Sequence, residues 1–157
     1  MPTHGGQIAF IGGHKKEQEF NPWLVAQREF EEETSLSKTI IEFMGFLPVV
    51  MTARLQPIVP VMAELHITTD QFLTDARSNG EWDDIIAYSW SELGMEHKWE
   101  YAWRNGYTRT PVMFHTIQAS CYLSPMGNQH PHLLWGATAA MIWDFLRLYF
   151  DTEASPY

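Results

Sequence analysis

Two stretches near the N-terminus decide the fold: G-G-H-K-K-E-Q-E at residues 12–19 and R-E-F-E-E-E-T-S-L at residues 28–36. Between them, Asn21 is a favourable N-cap, and Pro22 suits the first helical position, where its missing N–H has no intrahelical partner to lose. We therefore predict a helix from about Pro22 to about Thr34. The residues expected on its buried side are Phe30, either Trp23 or Leu24, and either Ala26 or Gln27.

This helix carries a run of acidic residues. Glu29, Glu32 and Glu33 stand at positions i, i+3 and i+4, so three carboxylates project from one face. Like charges at this spacing repel one another, and a hard divalent cation such as Mg²⁺ or Mn²⁺ would remove the repulsion. The alternative interpretation is a plain solvated acidic face. The wider pattern of the two stretches favours the metal.

That wider pattern resembles the Nudix box, written G-x5-E-x7-R-E-U-x-E-E-x-G-U with U apolar. Five residues separate Gly13 from Glu19, and the Arg-Glu-apolar-x-Glu-Glu segment begins at Arg28. Two positions depart from the box. Eight residues instead of seven separate Glu19 from Arg28, and Ser35 replaces the usual glycine. The extra residue falls in the loop before the helix, so the carboxylate face is unaffected.

Two further stretches resemble the coenzyme A diphosphatase branch of the Nudix superfamily, in which the longer spacing is common. Residues 4–13, H-x-G-Q-I-A-F-x-G-G, are similar to the H-x-G-Q-I-A-F-P-G-G of that branch, with Ile11 in place of the proline. His14 stands where a lysine usually follows the glycine pair. Residues 134–139, L-W-G-A-T-A, look like the segment that opens the last helix of that branch.

The resemblance implies a role for each matching residue. Mg²⁺ or Mn²⁺ would be held by the box glutamates and a backbone carbonyl, which here are Glu29, Glu32, Glu33 and Gly12. Arg28 would orient the glutamates through charge-assisted hydrogen bonds, with Glu19 and Gly13 supporting the loop.

Many Nudix enzymes add a glutamate from a later loop, as a metal ligand or as a general base. Glu81 lies just before a predicted strand and is our candidate, with Asp83 and Asp84 as weaker alternatives. An exposed loop acid without a role is the other interpretation of Glu81. The resemblance leaves open whether Glu32 or Glu81 accepts the proton of the attacking water.

The reaction implied is metal-assisted hydrolysis of a diphosphate linkage. In the coenzyme A branch, coenzyme A or acyl-CoA gives 4'-phosphopantetheine and adenosine 3',5'-bisphosphate. One alternative is another nucleoside diphosphate derivative, such as ADP-ribose or a nucleotide sugar. A non-catalytic Nudix-fold module that binds a nucleotide is a second alternative, against which the complete glutamate set argues.

The composition limits the partners. The 157 residues suit a single domain over residues 1–157, and a formal charge of −9 repels polyanions. We therefore expect a small diphosphate substrate and neither nucleic acid nor membrane as partner. The single cysteine, Cys121, cannot form an internal disulfide, which together with the absence of a secretory signal favours a cytoplasmic location.

The rest of the chain mixes strand and helix patterns without strict alternation, which predicts an α/β or α+β fold with a mixed sheet between helices. The predicted strands are Gln7–Ile11, Thr39–Phe46, Val49–Ala53, Ile58–His66, Trp82–Trp90 and Val112–Cys121. The predicted helices beyond the first are Thr68–Ser78, capped near Thr69 or Asp70, and Trp135–Tyr149. The apolar residues expected to face the core at that C-terminal helix are Leu134, Ala137, Met141, Phe145 and Leu148.

The N-terminal portion is short by comparison with the branch, since only three residues precede His4. We expect either a longer natural chain or a sheet completed otherwise, for example by a partner subunit. An open sheet edge favours pairing with another chain, which predicts a homodimer or a destabilised protein. Substrate-binding residues stay unassigned. The basic candidates are Lys15, Lys16, Arg54, Arg77, Arg104 and Arg109.

Overall fold

The fold is α+β, as predicted, in a computed structural model that describes residues 7–52, 54–93, 99–102, 112–117, 122–123 and 132–150. The helices are α1 (Pro22–Thr34), α2 (Thr69–Asp75), α3 (Trp90–Leu93) and α4 (Gly136–Phe150), with a 3-10 helix at Lys38–Ile40. The strands are β1 (Ile41–Phe46), β2 (Val50–Met51), β3 (Pro57–Ile58), β4 (Val61–Leu65), β5 (Ala87–Tyr88), β6 (Trp99–Ala102), β7 (Val112–Ile117), β8 (Tyr122–Leu123) and β9 (His132–Trp135).

Helix α1 has the predicted bounds. The Asn21 side chain accepts a hydrogen bond from the Trp23 N–H at 2.9 Å, and Pro22 occupies the first turn. At the other end Ser35 takes a left-handed conformation with φ of 60°, and its N–H donates to the Glu31 carbonyl at 3.0 Å. Both ends are therefore set by residues inside or beside the motif.

The buried side of α1 agrees in part with the prediction. Phe30 is buried, and its ring lies 6.2 Å from the ring of Phe72 on α2. Trp23 is half-buried, whereas Leu24 is exposed, which decides between these two residues. Ala26 and Gln27 are both half-buried.

Every strand pair in the described residues is antiparallel. In place of one mixed sheet, the described residues form small separate sheets: β1 with β4, β2 with β3, β5 with β8, and β6, β7 and β9 with β7 in the middle. The predicted strand over Ile58–His66 is divided into β3 and β4. Pro60 lies at the break because it has no N–H to donate to a ladder, and its carbonyl instead accepts from Leu47.

Several predicted strands are shorter than expected, and one is wrong. Gln7–Ile11 forms no strand, and the Ile8 carbonyl accepts a hydrogen bond from Thr138 Oγ1 at 3.1 Å. The first residues of Thr39–Phe46 belong to the 3-10 helix instead. Only Val50 and Met51 of the Val49–Ala53 segment are in a strand, and Ala53 lies outside the described residues.

The second half of the chain shows similar differences. Helix α2 ends at Asp75 and is capped by Thr68, one residue before the expected cap, through a capping box with Gln71. Only β5 is a strand within the predicted segment Trp82–Trp90, since Trp90 begins α3. Strand β7 covers the first part of Val112–Cys121, and residues 118–121 lie outside the described residues.

Strand β9 runs directly into α4 at Gly136. Trp135 is the last strand residue, so the helix begins one residue later than predicted, and Gly136 makes the turn with φ of +64°. A residue with a Cβ would be strained in this conformation. No residue separates the two elements, and β6 and β9 were both missed by the sequence patterns.

The main core lies where α4 packs on β7 and β9. Its buried members are Leu93, Leu134, Ala139, Ile142 and Leu146. Met141 is buried and Ala137 and Phe145 are half-buried, whereas Leu148 is 60% exposed, so its predicted burial is wrong. The buried stripe of α4 follows residues 139, 142, 143 and 146, at helical spacing, and residue 148 points away from that stripe.

None of the helices in the described segments has both the length and the apolar composition needed to cross a bilayer.

Candidate metal centre

One guanidinium, that of Arg28, joins three carboxylates of the motif. Its Nε donates to Glu19 Oε1 at 2.6 Å, and its Nη2 donates to the other oxygen at 3.2 Å. Its Nη1 donates to Glu29 Oε1 at 2.7 Å and to Glu32 Oε2 at 2.8 Å. A fifth bond, 3.0 Å long, reaches the carbonyl of His14. Arg28 therefore ties the helix face to the preceding loop.

Glu19 is held from both sides. In addition to Arg28, the backbone N–H of Lys16 donates to Glu19 Oε2 at 2.7 Å, and the Glu19 N–H returns a bond to the Lys16 carbonyl at 3.0 Å. These contacts favour the charged carboxylate, with Arg28 as the main cause, and lower the pKa of Glu19 to about 2. Glu19 is therefore an anion at neutral pH, and its hydrogen bonds hold the turn before the helix.

Glu32 is the exposed member of the helical face. Lys16 Nζ lies 3.0 Å from Glu32 Oε1, while Arg28 binds the other oxygen. Hydrogen bonding by the Lys16 ammonium, and secondarily by Arg28, lowers the pKa of Glu32. Each Glu32 oxygen therefore has a cation beside it.

Glu33 is buried and contacts the glycine pair. The Gly12 N–H donates to Glu33 Oε1 at 3.0 Å. Burial raises the pKa of Glu33, the Gly12 bond opposes this, and the charges of Glu81, Glu29 and Glu32 raise it further. The charged form of Glu33 is therefore disfavoured in this position, in contrast to those of Glu19 and Glu32.

The Glu29 carboxylate occupies the space where a side chain at Gly13 would lie. A Cβ added at Gly13 would overlap the Glu29 carboxylate, whereas one added at Gly12 would have no atom within 4 Å. Glu29 is buried and its carboxylate lies against the Gly13 backbone, so a larger residue at position 13 would force that carboxylate to shift. The glycine pair thus serves two carboxylates, through the N–H of Gly12 and the missing side chain of Gly13.

Glu81 lies on a loop that is attached to the C-terminal end of α1. The indole Nε1 of Trp82 donates to the Glu33 carbonyl at 2.7 Å. The Glu81 N–H donates to Asn79 Oδ1 at 3.0 Å, and Glu81 itself is exposed. The loop therefore brings the Glu81 charge close enough to act on Glu33.

The structure brings most predicted site residues together. Glu19, Arg28, Glu29 and Glu32 share one hydrogen-bond network, Glu33 joins through Gly12, and Glu81 is the more distant member. Gly12 contacts the site through its N–H, so its role as a carbonyl ligand stays a prediction.

Some acidic residues lie apart from the cluster. The Glu31 carboxylate accepts from the Lys38 N–H at 2.9 Å, and Asp84 accepts locally from the Ile85 N–H. Arg104 and Arg109 lie outside the described residues.

The sequence patterns missed two residues of the cluster, since they left Lys16 unassigned and gave Trp82 no role. The Trp82 contact spans 49 residues, and no local pattern signals it.

The donor atoms of this cluster are of the kind that suits a divalent cation, although their arrangement is that of a hydrogen-bonded network. In the described part of the chain, no group of three His, Cys, Asp or Glu side chains is arranged to hold a metal ion. Instead, oxygens of Glu29, Glu32 and Glu33 accept from Arg28 and Gly12. Carboxylate oxygens are the ligands that Mg²⁺ and Mn²⁺ prefer. Burial, and after it the charges of neighbouring glutamates, raises the pKa of Glu33, and a cation beside this carboxylate would offset both effects.

Comparison with known proteins is consistent with this arrangement. A family model described as the NUDIX domain matches residues 1–109. The chain is similar to Nudix hydrolase 22, chloroplastic, from Arabidopsis thaliana, with 29% identity over 65 residues. This match covers 41% of the chain and 22% of the relative, so the chain matches about a fifth of the relative's length. No solved structure gives a significant match.

Proposed function

The chain belongs to the Nudix family, and from this premise we propose that it is a hydrolase of diphosphate linkages that uses Mg²⁺ or Mn²⁺. The observation that carries this proposal is the Arg28 network, in which one guanidinium orients Glu19, Glu29 and Glu32 beside the buried Glu33. Such a cluster of carboxylates is costly unless a metal ion balances the charge that Arg28 and Lys16 leave over. The same metal ion would bind the phosphates of an anhydride substrate.

Each residue of the cluster has a part in this proposal. Glu29, Glu32, Glu33 and the carbonyl of Gly12 would hold the ion, which when bound lowers the pKa of water and neutralises phosphate charge. Arg28 and Glu19 keep the ligands in place through the bonds described above. Gly13 leaves the room that the Glu29 carboxylate occupies.

The proposed chemistry is hydrolysis at phosphorus. The oxygen of a water molecule forms a bond to one phosphorus, and the bond from that phosphorus to the bridging oxygen breaks, which gives two monophosphates. The water proton passes to a carboxylate, for which Glu32 and Glu81 are the two candidates. They are distinguished by kcat at saturating Mn²⁺: the substitution that removes the base, Glu32→Gln or Glu81→Gln, keeps a low kcat there, whereas added Mn²⁺ compensates for the loss of a metal contact alone.

As substrate we propose coenzyme A or an acyl derivative. The support is the resemblance of two stretches to the coenzyme A diphosphatase branch, and these stretches contact each other. Thr138 Oγ1 donates to the Ile8 carbonyl at 3.1 Å, and Ile8 packs against the core that includes Leu134 and Ala139. The products would be 4'-phosphopantetheine and adenosine 3',5'-bisphosphate.

The test is cleavage of coenzyme A, ADP-ribose and a nucleotide sugar with Mg²⁺, followed by chromatography. The variants are Glu32→Gln and the matched control Glu31→Gln, because Glu31 is the neighbouring acid that binds Lys38 instead of Arg28. We expect preferential release of adenosine 3',5'-bisphosphate by the wild type and by Glu31→Gln, and none by Glu32→Gln.

The other outcomes are equally informative. Turnover of ADP-ribose or the sugar nucleotide alone would contradict the coenzyme A assignment and keep the hydrolase. No turnover of any substrate by folded protein that binds Mn²⁺ would contradict the hydrolase and favour a nucleotide-binding module.

We further propose a homodimer. In the described part of the chain β1 pairs with β4 alone, and β1 exposes Phe43, Met44 and Phe46 by 41%, 54% and 48%. An open strand edge beside apolar side chains favours pairing with another chain. Light scattering at micromolar concentration should give twice 18.2 kDa, and Met44→Lys should lower that mass. A monomer that melts cooperatively would contradict the dimer.

A further inference from the structure

The loop that carries Glu81 is anchored by a residue that the box pattern does not include. The Trp82 indole is half-buried and donates its N–H to the Glu33 carbonyl at 2.7 Å. Glu33 lies in the last turn of α1, where a carbonyl has no partner within the helix. The Trp82 bond therefore satisfies an acceptor that the helix leaves open, at the residue whose side chain is a candidate metal ligand.

Two neighbouring hydrogen bonds also hold the loop in place. The Arg77 N–H donates to the Thr34 carbonyl at 2.8 Å, so the segment 77–82 meets two successive carbonyls of α1. Ser78 Oγ donates to the Trp82 carbonyl at 2.7 Å and closes the segment on itself. The position of residue 81 relative to Glu33 is thus fixed on both sides along the chain.

Glu81 itself contributes little to its own placement. Its N–H binds Asn79 Oδ1, and within the described segments its carboxylate makes no hydrogen bond or ion pair. Glu81 directly precedes Trp82, whose indole binds the Glu33 carbonyl, so the chain itself brings the negative charge of Glu81 to this end of α1. What keeps that charge near Glu33 is therefore the backbone of the loop, and the bond that joins the loop to Glu33 is that of Trp82.

We propose that Trp82 is a positioning residue: its indole N–H holds the loop of residues 77–82 on the last turn of α1 and so keeps the Glu81 carboxylate at the metal centre. This inference rests on the proposed function, because it takes Glu29, Glu32 and Glu33 as the metal ligands. The residue acts through Glu81 and touches neither metal nor substrate.

The test measures the Mn²⁺ dissociation constant of the full chain by electron paramagnetic resonance. Trp82→Phe keeps an apolar ring and removes the donor. Trp90→Phe is the matched control, because Trp90 is a partly exposed tryptophan whose ring packs at a tilt against Phe145. Outer partners of metal ligands typically change affinity by about 10- to 100-fold. We expect Trp82→Phe to weaken Mn²⁺ binding by about 10-fold and Trp90→Phe to leave it unchanged.

A double-mutant cycle separates positioning from general stability. If Trp82 acts through Glu81, the loss caused by Trp82→Phe should disappear in the Glu81→Gln background. An equal loss in both backgrounds, or no loss in Trp82→Phe, would overturn the inference. An unchanged affinity in Glu81→Gln would overturn it too, because then no carboxylate of the loop serves the metal.

A second variant covers the possibility that Trp82→Phe does not fold. Ser78→Ala removes the bond that closes the loop and leaves the indole intact, and its loss of Mn²⁺ affinity should also depend on Glu81. Equal losses with and without Glu81 would count against the proposal. Glu32→Gln tests the underlying function separately: if it binds Mn²⁺ like the wild type, the metal centre is misassigned whatever the Trp82 variants show.

Discussion

Arg28 orients three carboxylates because its guanidinium offers several donors in a fixed plane. Glu19 is bound through both oxygens, and one further nitrogen serves Glu29 and Glu32 together. A lysine ammonium carries the same charge but lacks the planar arrangement of donors. The geometry of the cluster, and not only its charge, therefore depends on arginine.

Arg28→Lys should keep the charge and lose the geometry. We expect kcat for the best substrate to fall by about 10- to 100-fold, as for other residues that support metal ligands. Steady-state kinetics with a parallel thermal melt measures this, with the exposed Arg54→Lys as control. Wild-type kcat in Arg28→Lys would show that a positive charge alone is enough to orient the carboxylates.

Gly13→Ala should displace the Glu29 carboxylate, because the added methyl group overlaps it. Overpacking of this kind typically costs about 1–3 kcal/mol of folding free energy. We expect a lower melting temperature and weaker Mn²⁺ binding than in Gly12→Ala, where the methyl group enters open space. Similar values for the two variants would mean that Glu29 moves aside without consequence.

At the scale of secondary structure, α1 is predictable from end to end and the strands are not. The signals at Asn21 and Pro22 are local, and helix hydrogen bonds join residues four apart. A strand needs a partner strand, which sequence patterns do not identify. For this reason the strand predicted over Gln7–Ile11 is wrong, and β9 was not predicted. The Arg28 cluster follows from box spacing, whereas the Lys16 and Trp82 contacts depend on how distant segments pack.

The C-terminal end of α1 departs from the box at Ser35, which adopts φ of 60° where glycine is usual. A left-handed conformation costs a residue with a Cβ about 1–2 kcal/mol. Glycine offsets part of this gain by roughly 0.5–1 kcal/mol of backbone entropy. The Ser35 Oγ bond to the Arg77 carbonyl is long, at 3.4 Å, and adds little.

Ser35→Gly should therefore raise the free energy of unfolding, by roughly 0.5–1 kcal/mol. Urea denaturation measures the change. Ser37→Gly is the matched comparison, because Ser37 has φ of −69° and caps the 3-10 helix, and it should destabilise. A loss of stability in Ser35→Gly would mean that the Arg77 contact matters more than the strain.

At the scale of the whole molecule, the formal charge of −9 makes the pH dependence of folding stability a sensitive probe of the carboxylates. The pKa of Glu19 is lowered to about 2 in the folded protein by Arg28 and the Lys16 N–H. Because the folded pKa lies below the unfolded one, the interaction stabilises the protein above the unfolded pKa. Its contribution is lost as pH falls through the folded value.

Glu19→Gln should therefore be less stable than the wild type at neutral pH, with a difference that shrinks as pH falls from about 5 towards 2. Urea unfolding in the presence of a chelator measures this without interference from metal. Glu17→Gln is the control, since Glu17 is exposed and makes no contact in the described residues, and it should match the wild type throughout. A difference for Glu19→Gln that does not change with pH would contradict the lowered pKa.

The direct passage from β9 into α4 at Gly136 has a dynamic consequence. A loop between two elements would let each open separately, but here Trp135 and Gly136 are adjacent members of strand and helix. Leu134 on the strand and Ala139, Ile142 and Leu146 on the helix belong to one buried cluster. Their amide hydrogens should therefore exchange with solvent in a single cooperative opening event.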